Sequence, residues 1–333
     1  SYIHLFCLRH VLCPFCSFCL FCSFRLLCLF CLFCLFFFAG NPPRTAFCTS
    51  VNFPFQLVDA THEKVSFSSY PTRIISLAPS ITECLFSLHL DKEIIGVTTY
   101  CDYPQEAKKK EKIGSLLALD TEKIFALKPE LVLATMEGNR VEEVQRLRRL
   151  GLKVFILSPV KELEHVYRDL RIMGRLTGRE DEARGIISAI RLKIRETEQT
   201  LALIKKRPRC FLQLGINPLV TAGESTLIHD LIRLAGGENL ASENKGYIRY
   251  SLEEVIAKDP EIILMVGMGE TLGGYRALWD KFPLLKARKT GKILPINPDL
   301  VDRASPRISD GLRCLAEALH PEAFAPPSAP GKQ

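Results

Sequence analysis

The sequence predicts an α/β chain built as two similar lobes joined by one long helix, and three observations carry that prediction. From about residue 70 onward, short apolar, β-rich runs alternate with amphipathic stretches, the texture of sheets covered by helices. An internal repeat follows: TEKIFALKPELVLA at 121–134 and LEEVIAKDPEIILM at 252–265 align without a gap at an offset of 131 residues. A charged stretch of helical periodicity, 161–206, separates the two copies.

In chain order, RIISLAP (73–79) reads as a buried strand, and SITECLFSLHL reads as a helix in which Ser80 and Glu83 have the spacing of a capping box. EIIGVTT and ELVLAT are further strands, VEEVQRLRRLG is a helix stopped by Gly151, and KVFILSP closes the first unit. The connecting stretch breaks at LTGRED, and its second part is long enough, at about 1.5 Å per residue, to span a lobe. After Pro208 come the strands RCFLQLG, EIILMVG and KILPINP and the closing helix SPRISDGLRCLAEAL. GMGETLGG (267–274) lacks the spacing of a dinucleotide fingerprint and reads as a flexible loop at the edge of a cleft. The expected organisation is a leader at 1–45, a linker at 46–69, an N-terminal lobe at 70–160, the connecting helix region at 161–206, a C-terminal lobe at 207–320 and a disordered Pro/Ala-rich tail at 321–333.

The opening FCSFRLLCLFCLFCLFFF (21–38) places cysteines at Cys-x-x-Cys spacing, yet its spacers are Phe and Leu with no Gly or Asp to turn the backbone around an ion. Residues 11–38 carry one charge, Arg25, which favours a membrane-directed signal or anchor over a metal module. Nine of the 13 cysteines lie at or before Cys48; Cys84, Cys101, Cys210 and Cys314 are scattered singly and read chiefly as buried free thiols, with a disulfide as the alternative. The formal charge is +7, but Arg9, Arg25 and Arg44 precede the first acid, Asp59, and the remaining +4 is too mild for a nucleic-acid partner.

The folded body holds no Gly-x-Ser-x-Gly, no P-loop, no paired-cysteine nucleophile and no Asp-x-His-x-x-Gly run, and its histidines are dispersed. The expectation is a protein that is not an enzyme, with no catalytic residue, no metal ligands and no resident cofactor. Two acids stand out. Glu122 and Glu253 occupy matching places in the repeat, each two residues after a capping candidate, Asp120 or Ser251. First-turn acids complement a helix dipole for about 0.3–1 kcal/mol, but a symmetric pair also fits a functional role.

The runs RIISLAPSITE…IIGVTTYCDYP, ALKPELVLATMEGN, CFLQLGINPLVTAGE, AGGEN and DRASPRI, in this order over about residues 70–320, closely resemble the periplasmic cobalamin-binding proteins of ABC-type vitamin importers. That family implies two Rossmann-like α/β lobes on a single backbone helix, the class III arrangement of solute-binding proteins, with the ligand in the cleft between the lobes. It implies a periplasmic or extracytoplasmic location and an ABC permease dimer as partner, docked through one glutamate at the tip of each lobe; the matching residues are Glu122 and Glu253. The transported ligand is then a corrinoid, with haem or a ferric siderophore as the alternative, in which Tyr100 or Tyr247 would ligate iron.

Clefts of open α/β sheets lie at the C-terminal ends of the strands. By position the candidate ligand-binding residues are Tyr100, Ser115, Leu116, Thr135, Met136, Gly215, Asn217, Tyr247, Asp302 and Arg303. The sequence also departs from the family. Leu116, Thr135, Leu300 and Tyr247 stand where a well-known member has pocket tryptophans, the sole Trp279 lies elsewhere, and Ala235 and Ala316 occupy the places of the family's disulfide.

Overall fold

The sheet-forming runs become two separate four-stranded parallel sheets in the computed structural model, which describes residues 53–267 and 270–325. The cysteine-rich leader, and the tail beyond 325, lie outside the described residues. A hairpin comes first: β1 (Phe55–Val58) pairs antiparallel with β2 (Lys64–Phe67), Phe55 opposite Phe67. This corrects the expected linker at 46–69. The Asp59 carboxylate in the turn accepts the backbone N–H groups of Thr61 and Glu63, accepts that of Ile156 at 3.2 Å, and pairs with Arg148, so the hairpin is fastened to the first lobe.

The N-terminal lobe runs through β3 (Ile74–Ser76), α1 (Pro79–Ser87), β4 (Ile94–Val97), α2 (Thr121–Ala126), β5 (Leu131–Thr135), α3 (Val141–Arg149) and β6 (Val154–Leu157). Its sheet has the order β4-β3-β5-β6, parallel throughout. Two helices follow, α4 (Leu163–Thr177) and α5 (Glu180–Leu201). The break between them is at Gly178, whose φ of 71° is left-handed; a Cβ there would meet the Tyr70 ring at 2.6 Å, so the position needs glycine twice over. The 22 residues of α5 extend about 33 Å and form the spine.

The C-terminal lobe comprises β7 (Arg209–Gln213), β8 (Gly215–Ile216), β9 (Leu219–Ala222), α6 (Leu227–Leu234), β10 (Glu238–Asn239), β11 (Tyr247–Arg249), α7 (Leu252–Lys258) and β12 (Ile262–Val266). It continues through α8 (Glu270–Trp279), α9 (Lys286–Lys289), β13 (Ile293–Ile296), α10 (Pro298–Val301), α11 (Ile308–Leu319) and α12 (Pro321–Phe324). Its main sheet, β10-β7-β12-β13, repeats the crossover order of the first lobe, and a small antiparallel sheet β11-β9-β8 is added to it. Two expectations change here. Most of GMGETLGG belongs to α8 rather than to a loop, and the tail begins with a helical turn, α12, before the description ends.

The repeat is a repeat of geometry. Asp120 caps α2 by accepting from Lys123 N–H at 3.0 Å, and Ser251 caps α7 by accepting from Glu254 N–H at 3.3 Å. The helices end at Lys128 and Asp259, with φ of 48° and 42°. After the proline, Glu130 accepts the N–H of Thr72 and Glu261 accepts the N–H of Arg209, so each carboxylate ties the corner to the neighbouring strand's entry. Trp279 is buried in the second core, where its indole N–H donates to Gln213 at 2.7 Å. Ala235 and Ala316 are fully buried. No helix among the described residues is long and apolar enough to cross a membrane.

The spine packs against α11, and Gly311 on α11 lies under the Leu300 backbone, where a Cβ would fall inside contact distance of the carbonyl oxygen. Ala would gain about 1 kcal/mol of helix propensity, but the clash with fixed backbone costs about 1–3 kcal/mol. Gly311→Ala is therefore expected to lower the melting temperature, measured by circular dichroism, and to shift the segment carrying Asp302 and Arg303; an unchanged melting temperature would contradict this packing.

Candidate functional site

Between the lobes lies a cavity of about 790 Å³. Its walls are strand ends. After β3 the chain supplies Ala78, Pro79, Ser80 and Ile81 at the start of α1; after β5, Thr135, Glu137 and Gly138; after β6, Leu157, Ser158 and Val160. The C-terminal lobe contributes Leu214, Val220, Leu227, Tyr247 and the run Asp302, Arg303 and Ala304. The back wall is the inner face of α4, Asp169 and Met173. Asn139 holds the floor together: its amide donates to Leu77 and Leu116 carbonyls at 3.1 and 3.4 Å while its oxygen accepts from Thr135 N–H at 3.0 Å.

Of the residues singled out from sequence, Leu116, Thr135, Tyr247, Asp302 and Arg303 meet in this wall. Tyr100 and Met136, 57% and 48% exposed, lie outside it. Ser115 also lies outside, its hydroxyl accepting Ala118 N–H in a turn, as do Gly215 and Asn217 at the β8–β9 hairpin. The sequence reading missed the α1 terminus, Glu137 and the α4 face. A signal for Asp169 existed: it sits among Val166, Leu170 and Met173 on an otherwise apolar, buried helix face, where a lone carboxylate is out of place.

Among the described residues three carboxylates line the cavity, Glu137, Asp169 and Asp302. Asp169 accepts from Arg168 Nε at 2.9 Å, and burial nevertheless raises it to about 6. Burial likewise raises Asp302, against the pull of Arg303. The Tyr247 phenol is pushed well up by burial, then by the charges of Asp302 and Glu137. Cys84, also in the wall, is held as a neutral thiol by burial and by the charges of Asp169 and Glu83. Among the described residues no group of three or more His, Cys, Asp or Glu side chains is arranged to hold a metal ion.

Among the described residues the one arginine in the wall is already engaged. Arg303 donates to Glu83 at 3.0 Å and Asp102 at 2.8 Å, both in the N-terminal lobe, and pairs with Asp299 in its own lobe at 2.8 Å. Arg307 donates to both Glu83 oxygens at 2.9 and 2.6 Å, and its guanidinium lies 3.9 Å from the Tyr103 ring centroid. This corrects the capping-box expectation: α1 starts at Pro79 with Ala78 as N-cap and no side-chain cap, and the Glu83 side chain, 1% exposed, bridges the lobes instead. Glu122 and Glu253 lie exposed in the first turns of α2 and α7. Ser251 donates to Glu253 at 2.7 Å, and this bond lowers the carboxyl below the usual range.

Comparison with known proteins follows the same outline. The family model described as "Periplasmic binding protein" matches residues 74–300. The vitamin B12-binding protein of Salmonella typhi is 32% identical over 248 residues, 74% of this chain and 90% of the relative. The periplasmic vitamin B12-binding protein BtuF of Vibrio cholerae superposes with a TM-score of 0.66 at 25% identity, covering 77% of this chain and 99% of that one. A periplasmic heme-binding protein from Pseudomonas aeruginosa gives 0.69 at 26% identity, with coverage of 75% and 93%.

Two outcomes test this electrostatic description. Glu83→Gln leaves two guanidiniums facing a neutral amide and is expected to cost about 3 kcal/mol in urea unfolding. For Asp169 the folded carboxyl is raised above its unfolded value, so the folded state binds the proton more tightly. Stability then falls as pH rises from about 4 through about 6, by at most about 1.4 kcal/mol per pH unit. Asp169→Asn should remove that slope; a slope that survives would assign it to other groups.

Proposed function

The chain belongs to the periplasmic binding protein family, and on that premise we propose that it is the solute receptor of an ABC importer whose cargo is a corrinoid. The observation that carries this reading is the mixed polarity of the cavity wall. At one end the first turn of α1 presents Ser80 and Ile81, whose backbone N–H groups have no partner inside the helix. Elsewhere Glu137, Asp169 and Asp302 present acceptors, and apolar side chains fill the rest. A corrinoid rim is studded with carboxamides, each offering both a carbonyl and an NH₂ group, and such a wall serves both ends.

Haem brings two carboxylates, and among the described residues the one arginine of the wall, Arg303, is held by Glu83, Asp102 and Asp299, which leaves only the start of α1 to receive them. Of the sequence candidates, Leu116, Thr135, Tyr247, Asp302 and Arg303 are proposed as ligand contacts; Tyr100, Ser115, Met136, Gly215 and Asn217 stay outside the proposed set. Glu122 and Glu253 are proposed to dock on basic residues of the two permease subunits, from the extracytoplasmic side. Exposed ion pairs contribute about 0–1 kcal/mol each, so their work is orientation and encounter rate. The ligand is handed over unchanged, without catalysis.

Titration with cyanocobalamin, haem and a ferric hydroxamate, followed by absorbance, tests the cargo. Saturable corrinoid binding with no Soret shift is expected; a large Soret shift with haem alone would overturn the corrinoid reading. The pair Glu122→Arg and Glu253→Arg is expected to leave ligand affinity within about twofold and to abolish transport in proteoliposomes, and a marked fall in affinity would place these acids in the pocket instead.

A further inference from the structure

Each acidic tip carries an apolar companion at the same place in the repeat. Phe125 and Ile256 are the offset partners, and each follows its glutamate by three residues, which puts acid and apolar group on one helix face. Phe125 is 52% exposed although its neighbour Ile124 is fully buried. In the second lobe, Ile256 opens into a surface groove of about 410 Å³ with Phe282, Pro283 and Leu284, and Leu284 is 77% exposed. Asp259 and Lys281 stand at the groove, Asp259 pairing with Lys286. The two helices are held in matching frames by their caps, their left-handed ends and the Glu130 and Glu261 corners described above.

We propose that Phe125 and the Ile256–Phe282–Leu284 groove are the affinity-bearing parts of the two docking tips, each receiving an apolar side chain of the permease subunit whose basic residue pairs with the adjacent glutamate. The inference rests on the docking role proposed for Glu122 and Glu253 and adds what ion pairs alone lack. Exposed ion pairs are screened and orient the partner, whereas burial of a Phe- or Leu-sized group in a groove resists dissociation. The charge at the tips selects the occupant. A second copy of this chain would set Glu122 and Glu253 against like charge, whereas a basic, apolar, duplicated protein surface is complementary to both; with Lys123 paired to Glu111 and Lys281 at the second groove, an anionic lipid surface is the outcome the crosslink distinguishes.

The test uses the organism's own permease reconstituted in phosphatidylcholine nanodiscs, with binding followed by surface plasmon resonance. Phe125→Ala and Leu284→Ala are surface truncations, with melting temperature as the control for folding. Each is expected to weaken permease binding on the order of tenfold, mainly by faster dissociation, at salt concentrations that remove the ion-pair contribution. A photoreactive residue at 125 or 284 should crosslink to a permease subunit. Unchanged dissociation rates, or crosslinks to lipid or to a second copy, overturn the proposal. Glu122→Arg with Glu253→Arg separates the two layers: if charge reversal abolishes binding while the truncations change nothing, only the apolar role fails; if charge reversal has no effect, the docking reading fails and this inference with it.

Discussion

The pairing of Glu83 with Arg303 and Arg307 is the constraint on which the cleft depends. A carboxylate nearly stripped of water is stable only where its charge and lone pairs are met, and here two guanidiniums from a segment 220 and 224 positions away meet them. That requirement fixes α1 against the segment between β13 and α11. The ion pairs set how close α1 stands to the Arg303–Arg307 segment. Tyr103 beneath Arg307, and Asp102 on Arg303, extend the same contact along the N-terminal lobe.

The duplicated sheets give this arrangement its economy. Both lobes use one crossover order, with the repeat strands β5 and β12 in equivalent central places beside β3 and β7. Because helix, corner and strand are clamped alike in both, the cavity faces strand ends from two directions while Glu122 and Glu253 occupy matching helix starts.

Most of this scaffold was legible in the sequence, for a physical reason: strands buried on both faces read as unbroken apolar runs, and helix breaks at Gly178 and Gly151 announce themselves. The hairpin at 55–67 escaped because two four-residue strands carry little periodic signal. Glu83 was misread because a capping box is defined by local spacing, and its true partners are remote. The site was half legible. Strand ends pointed to Leu116, Thr135, Tyr247, Asp302 and Arg303, but loops such as those of Tyr100 and Asn217 run past the cavity, and α4, read as part of the connecting helix region, supplies Asp169 and Met173.

Cys84 gives the molecule a built-in gauge. Its sulfur lies 3.9 Å from the Ala304 carbonyl across the boundary between the lobes, and burial suppresses its thiolate. Among the described residues Cys84 is a free thiol, kept from solvent by burial alone. Separation of α1 from the Ala304 segment would expose this sulfur, so its alkylation would report that separation.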